Sequence, residues 1–408
     1  MEAPHPRRVT RRSGSQVLPL ELFFDLVFVL AITQCTALMA AQPTWAGLGR
    51  GLLVLAVLWW AWTAYAWLTS VIDPEADATR ITMFAAMSAM LVASLCVPQA
   101  FGDLALAFAM AYAAVRVIQI VLFVLASPDD GDLRRSVTSL AASTTVAVAL
   151  LVAASFLDGI AQGAMWVLAI LFDVGGPFLF GSAGWRLVPG HFAERHSLIL
   201  IIALGESIVA IGVGAEHVGI DAPVVAVAVL GVFLSAALWW LHFDVVALAT
   251  ERRLVAMVPG QAQNALARDA YSYLHLLLVA GIVLVALGLK TVIAHVADPL
   301  PIEVATALAG GVALYLVGHV MFRWRFARSI NRERLGVAAL LTALVPLSTS
   351  VPGWLALAAV AAVTWALVIY ETTAWSDTRR LIRDEHGMPG QDAAVDSPSQ
   401  NPADDPEV

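Results

Sequence analysis

A chain of 408 residues that is 60% hydrophobic and only 13% charged, with a mean hydropathy of +0.81, carries more apolar surface than one water-soluble core can enclose. The formal charge of −8 does not point to a basic partner: seven of the 31 acids lie in the tail from Asp384 onward, which has no Lys or Arg, and the other 24 nearly balance 23 bases. These figures exclude a nucleic-acid binder and a soluble catalytic domain, and they predict an all-α, polytopic membrane helix bundle.

Residues 1–17 form a basic segment with Arg7, Arg8, Arg11 and Arg12. The apolar run that follows, 18–41, superficially resembles a signal peptide, but its length and its internal acids fit a retained span better. About 20 apolar residues cross the hydrocarbon layer. By that rule the chain holds about twelve spans: 18–41, 50–72, 81–98, 103–126, 136–157, 163–185, 197–215, 222–243, 271–295, 302–322, 335–350 and 353–375. The eleventh is short and carries Pro346. With a cytoplasmic N-terminus, twenty of the 23 bases fall on the inside, which supports twelve spans with both ends in the cytoplasm.

A weak repeat divides the chain into six-helix halves, 18–185 and 197–375, joined by a cytoplasmic connector at 186–196. Trp59-Trp60 matches Trp239-Trp240, Arg80 matches Arg268, and Tyr112 with Arg116 matches Tyr315 with His319. Residues 376–408 read as an acidic, disordered cytoplasmic tail.

Charge inside a span marks a candidate site, because it faces the bundle interior or a water-filled path. Glu21 and Asp25, at i and i+4, share one face of the first span. They form either a proton or cation site or an ion-paired anchor to another helix, and Glu21 could instead reach the headgroups. Asp173 precedes Gly175-Gly176-Pro177, a pattern that predicts a kinked or broken helix whose free carbonyls bind a cation or simply pack. Glu206 lies mid-span between the small residues Gly205 and Ser207, where another helix could approach closely. Arg116 and Lys290, with His275 and His319, are candidate counter-charges or gates. His242, Asp244, His275 and His319 lack any metal-site spacing, so neither a metal nor a cofactor is expected. Both cysteines sit in apolar spans as small hydrophobes. Trp59, Trp60, Trp62 and Trp67 read as belt and packing residues.

The segments LELFFDLVFVLAITQ (20–34), ERHSLILIIALGESIVAIG (194–212), WWLHFDVVALATERRL (239–254) and RDAYSYLHLLLVAGIVLVALGLK (268–290) resemble the bacterial low temperature requirement A (LtrA) family of integral membrane proteins. The resemblance implies a polytopic membrane protein linked by name to growth in the cold, and it names no substrate or reaction. His242 stands where an aromatic residue is expected. Phe24-Asp25-Leu26-Val27-Phe28 with Ala31-Ile32-Thr33 is more faintly similar to the signature that opens each six-helix repeat of a potassium-channel family of lysosomes and bacteria. Together these features lead to an expectation of transport of a cation, a proton or a proton-coupled small solute along a path lined by Asp25, Asp173 and Glu206. The alternative is a non-transporting membrane scaffold or sensor. An enzyme is not expected, since no nucleophile and base stand at a useful spacing.

Overall fold

The computed structural model describes residues 16–126, 131–179, 185, 187–216 and 218–387, and every regular element among them is helical. In chain order these are α1 (Pro19–Ala41), α2 (Trp45–Val71), α3 (Asp77–Cys96), α4 (Ala105–Ala126), α5 (Gly131–Ala154), α6 (Gly159–Leu179), α7 (Pro189–Ala215), α8 (Ala222–Phe243) and α9 (Val246–Val255). They are followed by α10 (Gln261–Ala294), α11 (Ile302–Ala327), α12 (Arg332–Ser348), α13 (Gly353–Ala374) and α14 (Ser376–Gly387). Eleven helices among the described residues are long and apolar enough to cross a membrane. The 23 residues of α1, for example, extend about 35 Å. The expected eleventh span forms α12, whose 17 residues fall short of that group.

Local signals fix the helix ends. Thr44, Asp221 and Asn331 accept the amide hydrogens of Gly47, Val224 and Arg334, satisfying donors that the first turn leaves open. Pro189 starts α7 eight residues before the predicted span, so the stretch expected as a connector is mostly helix. Helix α6 also departs from expectation. It runs unbroken to Leu179 through the Gly-Gly-Pro sequence, as neighbouring helices can allow by re-satisfying freed backbone groups. At the chain's end Ser376–Gly387 is helical, so the tail expected to begin at 376 starts inside α14. Residues 1–15 and the acidic tail beyond 387 lie outside the described residues.

Helix α1 packs against α2, α3 and α7, while α7 lies against α10 over much of its length. Helices α10 and α11 also cross closely. A Cβ at Gly281 would fall 2.7 Å from the Gly311 carbonyl oxygen, and one at Gly311 would fall 2.8 Å from that of Gly281. Neither backbone can retreat from a neighbour packed this closely. Gly281→Ala is expected to cost about 1–3 kcal/mol, the usual range for overpacking, read as a lower unfolding midpoint in detergent. At Gly205 a Cβ would meet nothing within 4 Å, so the close approach predicted there occurs instead at Gly214, against Ile293 and the Lys290 carbonyl.

Two π-helical turns, Arg268–Leu274 in α10 and Thr306–Gly310 in α11, interrupt the usual ladder. Such turns free carbonyls for other partners. The Trp59 indole donates to the Ser272 carbonyl at 2.8 Å, and Trp67 donates to the Ser272 hydroxyl at 3.0 Å. Trp62, fully buried, donates to Asp25. Trp59, Trp62 and Trp67 are therefore interior hydrogen-bonding residues, and buried Trp60 packs as expected, stacked on Tyr273.

Candidate functional site

Glu21 and Asp25 point from α1 at a matching pair on α7. His191 and Arg195, also at i and i+4, present one face of α7 to that face of α1. His191 Nε2 lies 2.8 Å from Glu21 Oε1, Arg195 donates to Asp25 at 2.5 Å, and its other terminal nitrogen is 3.7 Å from Glu21. Thr69 and Trp62 of α2 complete the cluster, Thr69 accepting from Arg195 at 2.9 Å and Trp62 donating to Asp25 at 2.7 Å. Glu21, Asp25, His191 and Arg195 are all fully buried. Glu21 therefore does not reach the headgroups. Charges this enclosed persist only when closely paired, because desolvation costs several kcal/mol per ion, about the scale that good pairing geometry must offset.

Asp173 is held just as firmly. One oxygen accepts from Arg116 at 2.9 Å and Thr144 at 2.7 Å, and the other accepts from Tyr112 at 2.6 Å, tying α4, α5 and α6 together. The void beside it measures about 10 Å³, at the lower edge of what one water needs. Arg116 is thus the counter-charge of Asp173, as the sequence suggested for one of the chain's two in-span bases.

Glu206 differs from these three acids. It is 2% exposed, yet among the described residues no base stands within ion-pair distance of it. Thr33 of α1 donates to it at 2.5 Å. The Thr36 hydroxyl, one turn further along α1, donates to the Ile32 carbonyl at 3.3 Å. Glu206 sits about 25 Å along α7 from Pro189 and about 13 Å from Ala215.

Four imidazoles form a buried row across α7, α10, α8 and α11. Ring centroids are 5.4 Å apart from His196 to His275, 5.8 Å from His275 to His242, and 5.3 Å from His242 to His319. Nδ1–H of His196 donates to the Phe192 carbonyl and that of His319 to the Tyr315 carbonyl, which leaves both Nε2 atoms as acceptors. Nε2 of His319 is 3.1 Å from Nδ1 of His242. Nε2 of His196 and of His275 are shielded from solvent without a partner. His319 also borders a cavity of about 450 Å³ where α8, α9, α11, α12, α13 and α14 meet.

The structure gathers the predicted residues into separate clusters. Asp25 with Glu21, Asp173 with Arg116, and Glu206 each have different helix partners, and His275 and His319 join a fourth group. Lys290 meets no acid within 4 Å among the described residues. Asp244 turns away from the histidines to accept from Arg379 and Arg383, and this contact holds the Arg379 guanidinium above its usual pKa. Among the described residues, no three imidazole, thiol or carboxylate side chains converge as a metal site would require. Glu371 receives two bonds from Arg334, at 2.8 and 2.7 Å. Arg195, His191 and His196 were missing from the predicted site. For His191 and Arg195 the signal was present in the i, i+4 spacing that mirrors Glu21 and Asp25.

A protein of Rhizobium meliloti (strain 1021), itself uncharacterised, is 27% identical over 374 residues, spanning 88% of this chain and 90% of its own length. No solved structure matches the chain. The family model described as bacterial low temperature requirement A protein (LtrA) matches residues 16–369, nearly the whole helical bundle, and the chain therefore belongs to the LtrA family.

Proposed function

We propose that this LtrA protein moves protons, alone or coupled to a small cation or solute, across the bacterial cytoplasmic membrane, and that Glu206 is the group that takes up and releases the proton. The observation that carries this reading is the isolation of Glu206, a buried carboxylate in a membrane span that accepts from the Thr33 hydroxyl and, among the described residues, has no salt bridge. Asp25 and Asp173, each paired with an arginine, serve as clamps between helices, a narrower role than the sequence suggested for them. Glu206, free of that restraint, can change charge without breaking a pair. Within the row of imidazoles His242 and His319 share a hydrogen bond, a donor-to-acceptor link of the kind along which a proton can pass.

In this reading the chain is not an enzyme and needs no cofactor. Its partners are the lipid bilayer and a proton or small cation. Twelve spans place both termini in the cytoplasm, with α12 the short eleventh. A two-half arrangement is supported by matched packing: α1 on α3 corresponds to α7 on α10, α3 on α4 to α10 on α11, and α2 on α6 to α8 on α13.

The test is proton flux into liposomes that carry the purified protein and a pH dye. Glu206→Gln, with its unfolding midpoint unchanged, is expected to slow flux about a hundredfold, the low end of what a positioned proton-transfer group contributes. Normal flux in the folded variant would favour the scaffold or sensor reading, to which the locked ion pairs already lend support.

A further inference from the structure

We propose that the cavity of about 450 Å³ bordered by His319 is a binding site for an amphiphilic anion, a molecule with a carboxylate or phosphate head on a short apolar chain. The inference rests on the cavity alone and does not depend on proton transport. The volume lies within the range of small-molecule sites, about 300–1,000 Å³. Its walls include Val245, Val246, Ala249, Phe326, Val368 and Ile382, which call for an apolar body.

The charged groups around it select the head. Arg253, Arg323, Arg334 and Arg379 line the cavity against only two acids, Asp244 and Glu371. Both acids are already engaged. Glu371 is bound through both oxygens by Arg334, and Asp244 by Arg379 and by Arg383. Among the described residues Arg253 and Arg323 meet no carboxylate; Arg323 donates only to the Ser329 hydroxyl, at 2.9 Å. Both are exposed, so they stand ready for a ligand with no carboxylate to displace. Trp240 adds a further donor: its Nε1 is shielded from solvent, has no acceptor, and belongs to a residue that borders the cavity. A cation would meet excess positive charge, and a neutral ligand would leave both guanidinium groups unpaired. An anion satisfies both.

The head could come from a lipid of the surrounding bilayer or from a dissolved carboxylate or phosphate. Calorimetric titration of the full chain in nanodiscs of phosphatidylcholine, with octanoate, octanamide and octylamine as probes, tests the site. Octanoate is expected to bind saturably and at least about tenfold more tightly than the amide, the effect of one hydrogen bond to a charged group. Arg253→Gln with Arg323→Gln is expected to remove about that tenfold preference, and the exposure of both residues leaves the unfolding midpoint unchanged. Ala249→Phe, which narrows the cavity, is expected to abolish saturable binding. If the three probes partition alike, or octanoate binds the variants as it binds the parent, the proposal is overturned. Once octanoate binding holds, adding phosphatidylglycerol to the nanodisc separates the sources. Competition assigns the site to a lipid headgroup, and an unchanged octanoate isotherm assigns it to a soluble anion.

Discussion

Arg195→Ala is expected to destabilise the folded protein by about 3–5 kcal/mol, the cost of removing one partner from a buried ion pair. The size follows from the geometry. Asp25 is fully enclosed, and without the guanidinium only the Trp62 indole among its partners remains. Glu21 would lose its more distant basic neighbour as well, though His191 stays at 2.8 Å. The deficit should shrink when the charge is removed with its partner. Asp25→Asn combined with Arg195→Gln is therefore expected to recover much of the stability, as replacement of whole buried pairs often does. Unfolding midpoints of the parent, both single variants and the double variant, taken in one detergent, give the coupling directly. Additive effects would mean that the pair contributes nothing beyond two separate side chains.

Asp173→Ala is expected to be about as damaging, again about 3–5 kcal/mol for a buried charge left alone. It removes the shared acceptor of Arg116, Thr144 and Tyr112 at once. Two further nitrogens of Arg116 already lack partners, so the guanidinium keeps only the neutral Thr144 hydroxyl, at 2.8 Å. The void of about 10 Å³ beside Asp173 is small, so at most about one water could stand in for the carboxylate. Because this cluster clamps α4, α5 and α6, Asp173→Asn should lower the midpoint less than Asp173→Ala does and leave proton flux intact. Loss of flux in a folded Asp173→Asn protein would return this acid to the transport path.

The difference between these acids and Glu206 was only partly legible in the sequence. Buried charge announced itself through Asp25, Asp173 and Glu206, since each stands inside a run of apolar residues. Which of them was paired did not. Arg195 lies beside Glu194 and His196 in a polar stretch that reads as a loop, and only Pro189 at the start of α7 carries it into the bundle. The pairing of Arg116 with Asp173 was open to an argument from electrostatic necessity, because an in-span base needs an acid, although its address 57 residues away was not. The row of histidines was hidden for a related reason. Its members come from four helices, and no local spacing connects His196 with His275 or His242 with His319.

Span positions were easier to read, because each follows from a contiguous apolar run. The difficulties came at the ends. Gly175-Gly176-Pro177 suggested a kinked or broken helix, and of these two the continuous helix to Leu179 rules out the break; residues 376–387 read as the start of a tail although they fold as α14. Arg379 and Arg383 explain the second case. Both bind Asp244 next to the end of α8, a long-range tether that composition alone cannot reveal.

The central claim is that Glu206 exchanges its proton while the arginine-paired acids hold helices together. Infrared difference spectra of the reconstituted protein, recorded between acidic and alkaline buffer, measure it most directly when parent and variant are subtracted, which cancels the chain's other acids. The account predicts a protonated-carboxyl component that appears and disappears with pH in the parent and in Asp173→Asn, and is missing from Glu206→Gln. Carboxyl changes in Glu206→Gln equal to those of the parent would contradict it.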